Sequence, residues 1–240
     1  MFTGKTYWLI GASEGLGRAL AGLMTAEGAH MILSARNAKR LQALAATLPH
    51  ARALPMDVTD SASVRAAVAD LGKIDGVIYC AGAYEPMTAQ GWDVDQALNV
   101  SEVNFTGALR SLGHVVPGMA ARGAGHIVLI GSLAGFRGLP GAIGYSASKG
   151  ALMHLAENLY MDLHGTGVTV QQINPGFIRT RLTEKNGFDM PFILSAEDAA
   201  ARTLTAMKTR RFAISFPWPM AAFFRLGSVL PIRLFRRMLR

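Results

Sequence analysis

The sequence predicts an α/β fold, a doubly wound parallel sheet of seven strands in a single domain. Short apolar runs rich in Val, Ile and Leu recur seven times, without the alternation of a half-exposed strand. Helix-length segments with apolar residues at 3.6-residue spacing separate them. Strand, helix and strand in regular order describe a parallel sheet covered on both faces. The chain has 240 residues, 50% of them hydrophobic and 17% charged. That is enough to bury about 70–75% of the unfolded surface in one core. No linker, repeat or low-complexity tract divides it.

Thr6–Gly11 is the first strand, and Leu16, Ala19, Leu20, Leu23 and Met24 recur at helical spacing behind it. His30–Ala35 reads as the second strand, Ala38–Leu48 as a helix and Ala51–Met56 as the third strand. Ser61 caps a helix reaching Leu71, and Ile74–Cys80 is the fourth strand. A break at Ala81–Gly82 precedes a long helical region from Asp93 to Arg122. Gly125–Gly131 follows as strand five, Ala142–Gly165 as a long helix and Val168–Ile173 as strand six. Ala196–Thr209 is a helix and Arg211–Phe216 the seventh strand. Residues 1–210 are read as the main unit, and 211–240 as its last strand and a basic tail rather than an independent domain.

The net charge of +8 is concentrated at one end. Residues 202–240 hold nine lysines and arginines and no acid, whereas the rest balances fifteen basic against sixteen acidic residues. A general nucleic-acid surface is therefore not expected. Cys80 is the only cysteine, which excludes an intrachain disulfide and fits a reducing, cytoplasmic setting. The six histidines show no metal-ligand spacing, so no metal is assigned. No signal peptide is read at the N-terminus, and no run approaches the roughly 18 apolar residues of a membrane span.

The first strand runs into Gly11-Ala12-Ser13-Glu14-Gly15-Leu16-Gly17. Gly11 permits a tight turn, Gly15 lets a pyrophosphate approach the backbone, and Gly17 allows close helix packing. The helix N-terminus adds free N–H groups and a positive dipole. The spacing Gly-x3-Gly-x-Gly differs from the commoner Gly-x-Gly-x2-Gly, and glycines also serve turns for steric reasons alone. Gly11, Ser13, Glu14, Gly15, Leu16 and Gly17 are the candidate phosphate-contacting residues. Ala35-Arg36 stands where a ribose 2′-hydroxyl would call for an acid. A guanidinium there favours a 2′-phosphate, hence NADP(H), with NAD(H) the other option. Against this, Arg36 also reads as a solvated residue opening a basic helix with Lys39 and Arg40, and Glu14 would repel a phosphate.

Tyr145 and Lys149 are four residues apart, and Ser132 ends the fifth strand. A free phenol titrates near pH 10, so lowering it by about three units takes roughly 4 kcal/mol. Lys149, one helical turn away on the same face, could supply much of this through its charge and could also hold a ribose hydroxyl. Ser132 would donate a hydrogen bond to a carbonyl oxygen. A Tyr-x3-Lys pair alone arises by chance in roughly one such chain in eight, so the signal lies in the combined order.

That order resembles the short-chain dehydrogenase/reductase family from about residue 3 to residue 200. The matching residues are Gly11-x3-Gly15-x-Gly17, Asp57-Val58, Cys80-Ala81-Gly82, Asn104, Ser132, Tyr145-x3-Lys149 and Pro175-Gly176-Phe177-Ile178-Arg179-Thr180. The resemblance implies a Rossmann-type sheet of strand order 3-2-1-4-5-6-7 with a nicotinamide cofactor across its carboxyl ends. It implies that Asp57 and Val58 flank the adenine. Ala81, Gly82, Pro175 and Gly176 line the cofactor, and Ile178 and Thr180 meet the nicotinamide amide. Asn104 would fix a helix distortion and a water linking Lys149 to solvent. The chemistry implied is hydride transfer between nicotinamide and a carbonyl or secondary alcohol, with Tyr145 exchanging the proton. The chain departs from the family in Ile10-Gly11, usually Thr-Gly, and in Tyr79-Cys80, usually Asn-Asn.

Leu182, Phe188, Met190, Pro191, Phe192, Ile193 and Leu194 suggest an apolar pocket for a lipophilic carbonyl substrate; they read equally as ordinary core. In the tail, Ala221–Leu230 is compatible with one amphipathic helix and the stretch after Pro231 with a second. Such basic helices can lie on an anionic inner membrane surface, giving peripheral contact through 220–240. Pro217, Pro219 and Pro231 favour instead an arm docked over the cleft or a neighbouring subunit. A homodimer or homotetramer through the long helices of the middle third is implied by the resemblance. A catalytically silent nucleotide-binding regulator on the same fold is the alternative function. Retention of Ser132, Tyr145, Lys149 and Asn104 argues against it.

Overall fold

Alternate residues of β1 (Thr6–Ile10) pack into two different cores. Tyr7 and Leu9 join one, and Trp8 and Ile10 the other, so both faces of the strand are buried. The computed structural model describes residues 1–239; Arg240, the last basic residue of the tail, lies outside the described residues. β2 (His30–Ser34), β3 (Ala51–Ala53), β4 (Gly76–Tyr79), β5 (Gly125–Ile130), β6 (Val168–Pro175) and β7 (Ala213–Phe216) complete the sheet. Its order is β3-β2-β1-β4-β5-β6-β7, every pair parallel, as the resemblance implied.

Helices cover both faces. α1 (Gly15–Ala26), α2 (Ala38–Thr47) and α8 (Ala196–Met207) contribute Leu20, Met24, Leu41 and Met207 to one core. α3 (Ser61–Ala69), α5 (Gly107–Gly113), α6 (Val116–Ala121) and α7 (Ile143–Asp162) contribute Val64, Leu112, Met119 and Leu152 to the other. α4 (Val94–Ser101) packs against α7. The tail forms α9 (Trp218–Val229) and α10 (Ile232–Met238). α9 begins three residues earlier than the sequence suggests, because Pro219 sits in its first turn, where a missing N–H costs nothing.

Two differences from the sequence reading have local causes. β3 keeps only three residues of regular ladder, although the Leu54 and Met56 N–H groups still bond to Leu33 and Ala35 carbonyls. Pro55, between them, has no N–H to offer. The single helical region expected from Asp93 to Arg122 is three helices. A π-helical turn at Glu102–Thr106 joins α4 to α5, and the chain breaks between Gly113 and Val116. The Tyr79 phenol donates to the Val103 carbonyl in that turn at 2.5 Å. A Cβ on Gly107 would lie 2.5 Å from the same oxygen, so Gly107 makes room for it. Tyr79 thus braces β4 against the π turn.

Near the N-terminal edge of the sheet, a buried polar chain links three strands. The Gln171 side-chain N–H group donates to the carbonyls of Ala206, Thr209 and Arg211, so its oxygen is the acceptor facing His126 Nε2 at 2.8 Å. His126 therefore carries its proton on Nε2, and Nδ1 accepts from the Tyr7 phenol at 2.9 Å. Burial holds the His126 pKa below its ordinary value. Because the folded state binds this proton more weakly than the unfolded one, the stabilisation is present above about pH 6.5 and lost as pH falls through the lowered value. A His126→Gln variant should show a shallower loss of melting temperature between about pH 7 and about pH 5 than the parent, measured by thermal denaturation.

Candidate functional site

A cleft of about 2110 Å³ opens across the carboxyl ends of β1, β4, β5 and β6. Parallel strands all present their C-terminal loops there, which is why residues far apart in the chain meet. Gly11 has φ +94°, and a Cβ on it would stand 2.5 Å from the Ala81 nitrogen. A Cβ on Gly17 would stand 2.1 Å from the Gly11 carbonyl oxygen. The turn closes only with glycine at both positions. Asn37, Asp60, Asp93 and Ser195 cap α2, α3, α4 and α8 with their side chains; Glu14, the N-cap of α1, makes no such bond. The first N–H groups of α1 are thus left without a capping side chain at the cleft, the arrangement an anionic pyrophosphate requires. The residues present fit a dinucleotide, with volume to spare for a second molecule.

Glu14 does not stand as a bare charge. Its carboxylate accepts from Arg40 at 3.1 Å and from Arg181 at 2.6 Å, so the repulsion expected of it is largely neutralised. Arg36 also lines the cleft and is exposed. Val58 lines it too, but Asp57 does not: its Oδ1 accepts from the Thr59 N–H at 2.9 Å and hydroxyl at 2.8 Å, shaping the turn before α3. Ala81, Gly82, Pro175, Gly176, Ile178 and Thr180 all reach the cleft, as do Ser13, Gly15 and Leu16.

Ser132, Tyr145 and Lys149 come together midway along the cleft. Gly135 makes this possible, since a Cβ there would press 2.5 Å from Met153 Sδ and 3.0 Å from the Lys149 carbonyl. The turn carrying Ser132 therefore lies directly on α7. Lys149 Nζ donates to the Ile130 carbonyl at 2.9 Å and lies 6.0 Å from the Tyr145 ring centre. Burial lowers its pKa to about 8, with Cys80 opposing. Burial raises the Tyr145 pKa, the Ser132 hydroxyl pulls it back, and the nearby Tyr84 phenol adds to the rise. The sequence argument expected a lowered value; desolvation raises it instead, and the group that pulls it back is Ser132.

Asn104 does not line the cleft but sits buried in the π turn behind it. Its side chain accepts from the Ala83 N–H at 2.7 Å and donates to the Ala83 carbonyl at 3.0 Å and the Ser148 hydroxyl at 2.9 Å. It thereby pins the loop after β4 to α7. A Cβ on Gly82 would lie 3.7 Å from Asn104 Oδ1 and 3.9 Å from Lys149 Nζ, so the missing side chain leaves a gap bordered by both.

Sequence reasoning missed the fastenings of the segment after β6, residues 176–195, which lines one side of the cleft and is termed the lid. Tyr84 donates to Asn186 Oδ1 at 2.8 Å and meets Tyr145 edge to face, ring centres 5.0 Å apart. Lys185 pairs with Glu85. These partners are about a hundred residues apart, so no local pattern signals them. The arm closes the other side. Met220, Ala221, Phe224 and Phe235 form a third cluster with Leu133, and Arg137 donates to the Ser228 and Leu230 carbonyls at 3.0 and 2.8 Å.

The family model described as short chain dehydrogenase matches residues 5–190. The chain belongs to the short-chain dehydrogenase family. An uncharacterized oxidoreductase of Myxococcus xanthus is 37% identical, with 96% of this chain and 94% of the relative covered. An uncharacterized oxidoreductase of Staphylococcus aureus is 31% identical over 86% of this chain and 92% of its own. Among solved structures, a short-chain dehydrogenase from Sphingobium yanoikuyae in complex with NADPH superposes with a TM-score of 0.85 at 27% identity, covering 98% of this chain and 94% of its own. One from Burkholderia cenocepacia, at 22% identity and TM-score 0.88, covers 100% and 98% and shows the same fold. As a short-chain dehydrogenase, the protein is an oxidoreductase of a family that binds NAD(P) and acts on small molecules. Among the described residues no helix is long and apolar enough to cross a membrane.

The buried ammonium has a measurable cost. Lys149 titrates near 8 folded against an ordinary 10.5, so the folded state bears the full penalty below pH 8 and sheds it between 8 and 10.5. A Lys149→Met variant should melt higher than the parent at neutral pH. The gain is up to about 3 kcal/mol less about 1 for the lost hydrogen bond. That advantage should shrink above pH 8 in thermal denaturation.

Proposed function

We propose that this short-chain dehydrogenase is an NADP(H)-preferring reductase of lipophilic or bulky carbonyls, able to run in reverse on secondary alcohols. The observation that carries the reading is a half-buried Tyr145 phenol, its pKa raised by desolvation, beside Ser132 and Lys149 in a cleft that begins at an uncapped glycine turn. Residues 1–210 supply this machinery, and 211–240 form an arm integral to it. Gly11, Ser13, Glu14, Gly15, Leu16 and Gly17 would hold the pyrophosphate. Val58, Ala81 and Gly82 would hold the adenosine half, with Asp57 shaping the loop, and Pro175, Gly176, Ile178 and Thr180 the nicotinamide half. When bound, the cofactor supplies the hydride that reaches the carbonyl carbon.

The protein's own part is the proton. A phenol kept neutral by burial is an acid at pH 7, and Tyr145 gives its proton to the substrate oxygen as the carbonyl π pair becomes the new O–H bond. Ser132 donates a hydrogen bond to that oxygen and fixes its direction. The Lys149 ammonium stabilises the phenolate left behind. Gly82 keeps a side chain out of the space that Asn104 Oδ1 and Lys149 Nζ border, and a water there would return the proton from solvent. The lid and arm contribute Phe188, Phe192, Phe223 and Phe224, which suit an apolar substrate.

Arg36 supports the NADP(H) preference, because Glu14 already engages Arg40 and Arg181 and leaves Arg36 for a 2′-phosphate. The NADPH bound by the Sphingobium relative is consistent with it. Exposed Val94 and Leu98 on α4, with Tyr160 and Met161 on α7, offer a face for a homodimer or homotetramer. A cytoplasmic setting suits the single free cysteine.

A Tyr145→Phe variant should keep NADPH binding in a thermal-shift assay and lose turnover of ketones and aldehydes by about a hundredfold or more, followed as NADPH oxidation. Near-normal turnover would sink the proton-donor role. An Arg36→Gln variant should raise KM for NADPH by about 10–100-fold, the worth of a charged hydrogen bond, and leave KM for NADH within about threefold. Equal changes for both cofactors would remove the 2′-phosphate reading.

A further inference from the structure

The C-terminal arm buries one face of each helix and leaves the other without a partner in the chain. On α9, Met220, Ala221, Phe224 and Gly227 face the body. Trp218, Ala222, Leu226 and Val229, spaced four, four and three residues apart, form an exposed stripe on the opposite side. Trp218 and Val229 are each 78% exposed. α10 buries Phe235 alone and exposes Ile232, Leu234 and Met238. An ordinary surface helix is polar on its outer face; these two are apolar there as well.

The charge on that face is of one sign. Arg225, Arg233, Arg236 and Arg237 are exposed among the apolar residues, and no acid follows Asp198 in the sequence. Among the described residues none of these four arginines forms a salt bridge. The arm also borders the cleft. Phe223 and Leu239 line it together with Phe188 and Phe192 of the lid, the last two more than half exposed.

We infer that the outer face of α9 and α10 docks on an anionic bilayer surface and turns the mouth of the cleft toward it, so that the carbonyl substrate enters from the lipid phase. The apolar stripe reaches below the headgroups, Trp218 sits at the boundary, and the arginines meet lipid phosphates. A second copy is the poorer occupant. A two-fold contact of arm on arm sets arginine against arginine, with no acid in either arm to pair them. The substrate route rests on the reductase reading; the docking does not.

The full-length protein is centrifuged with vesicles of mixed phosphatidylglycerol and phosphatidylcholine, and with phosphatidylcholine alone. It should sediment with the anionic vesicles and be released by high salt. Replacing the four arginines (R225Q, R233Q, R236Q, R237Q) or the stripe (W218S, L226S, V229S) should weaken partitioning by about tenfold or more. In both variants a water-soluble ketone should turn over as in the parent, while a long-chain ketone carried in the vesicles turns over about tenfold more slowly in the arginine variant. Equal recovery in the supernatant with and without anionic vesicles overturns the inference. So does a stripe variant that changes from oligomer to monomer in sedimentation velocity while its vesicle partitioning is unaltered. Vesicle binding with no turnover of any carbonyl keeps the docking face and removes the reductase reading with the substrate route. Turnover without vesicle binding does the reverse.

Discussion

The burial of the Lys149 ammonium, held by the carbonyl of Ile130, sets the terms for the rest of the cleft. A charge taken out of water is costly, and here the cost appears as a pKa drawn down to about 8. The fold accepts that cost only because its neighbours are arranged around the lysine. Gly135 lets the Ser132 turn lie on α7, Gly82 leaves space before the amine, and Asn104 ties the loop after β4 to Ser148, the residue before the lysine on α7. Together they keep a lysine, a phenol and a hydroxyl within one desolvated pocket.

The two edges of the sheet divide the work. Toward the N-terminal ends of the strands, Tyr7, His126 and Gln171 form a satisfied polar chain that reaches the C-terminus of α8. Its groups are paired, so it adds rigidity without chemistry. At the C-terminal ends the polar groups are less completely paired among the described residues: α1 lacks a side-chain cap, the Ser146 hydroxyl finds no partner, and the Lys149 ammonium relies on one hydrogen bond, to the Ile130 carbonyl.

The lid and arm enclose the same opening by different means. The lid is fastened by polar contacts, Tyr84 to Asn186 and Lys185 to Glu85, which exchange readily with water. The arm is fastened by aromatic packing around Phe235 and by Arg137 holding the end of α9. Polar contacts of this kind open at lower cost than an apolar cluster, so the lid is held less firmly than the arm. Tyr84 touches both the lid and Tyr145, so the position of the lid is felt directly at the phenol.

Much of this was legible in the chain because it is local. The seven apolar runs, the glycine turn and the Tyr-x3-Lys spacing depend on neighbours a few residues away, and each is where periodicity and turn chemistry placed it. The distortion at Asn104 was implied by the family resemblance and is the π turn, but its brace was not legible, since it needs Tyr79 of β4 to reach the Val103 carbonyl. Nor was the state of Tyr145. Spacing put an ammonium near a phenol, and that implied a lowered pKa; packing decided how much water either group keeps, and desolvation reversed the sign. By itself the sequence determined the order of elements and which residues share a helix face, because backbone geometry is set by local chemistry. The tertiary structure alone decided the pairing of Glu14 with Arg40 and Arg181, the closure by lid and arm, and the charge states in the cleft, because solvent exclusion is a property of everything that packs around a group.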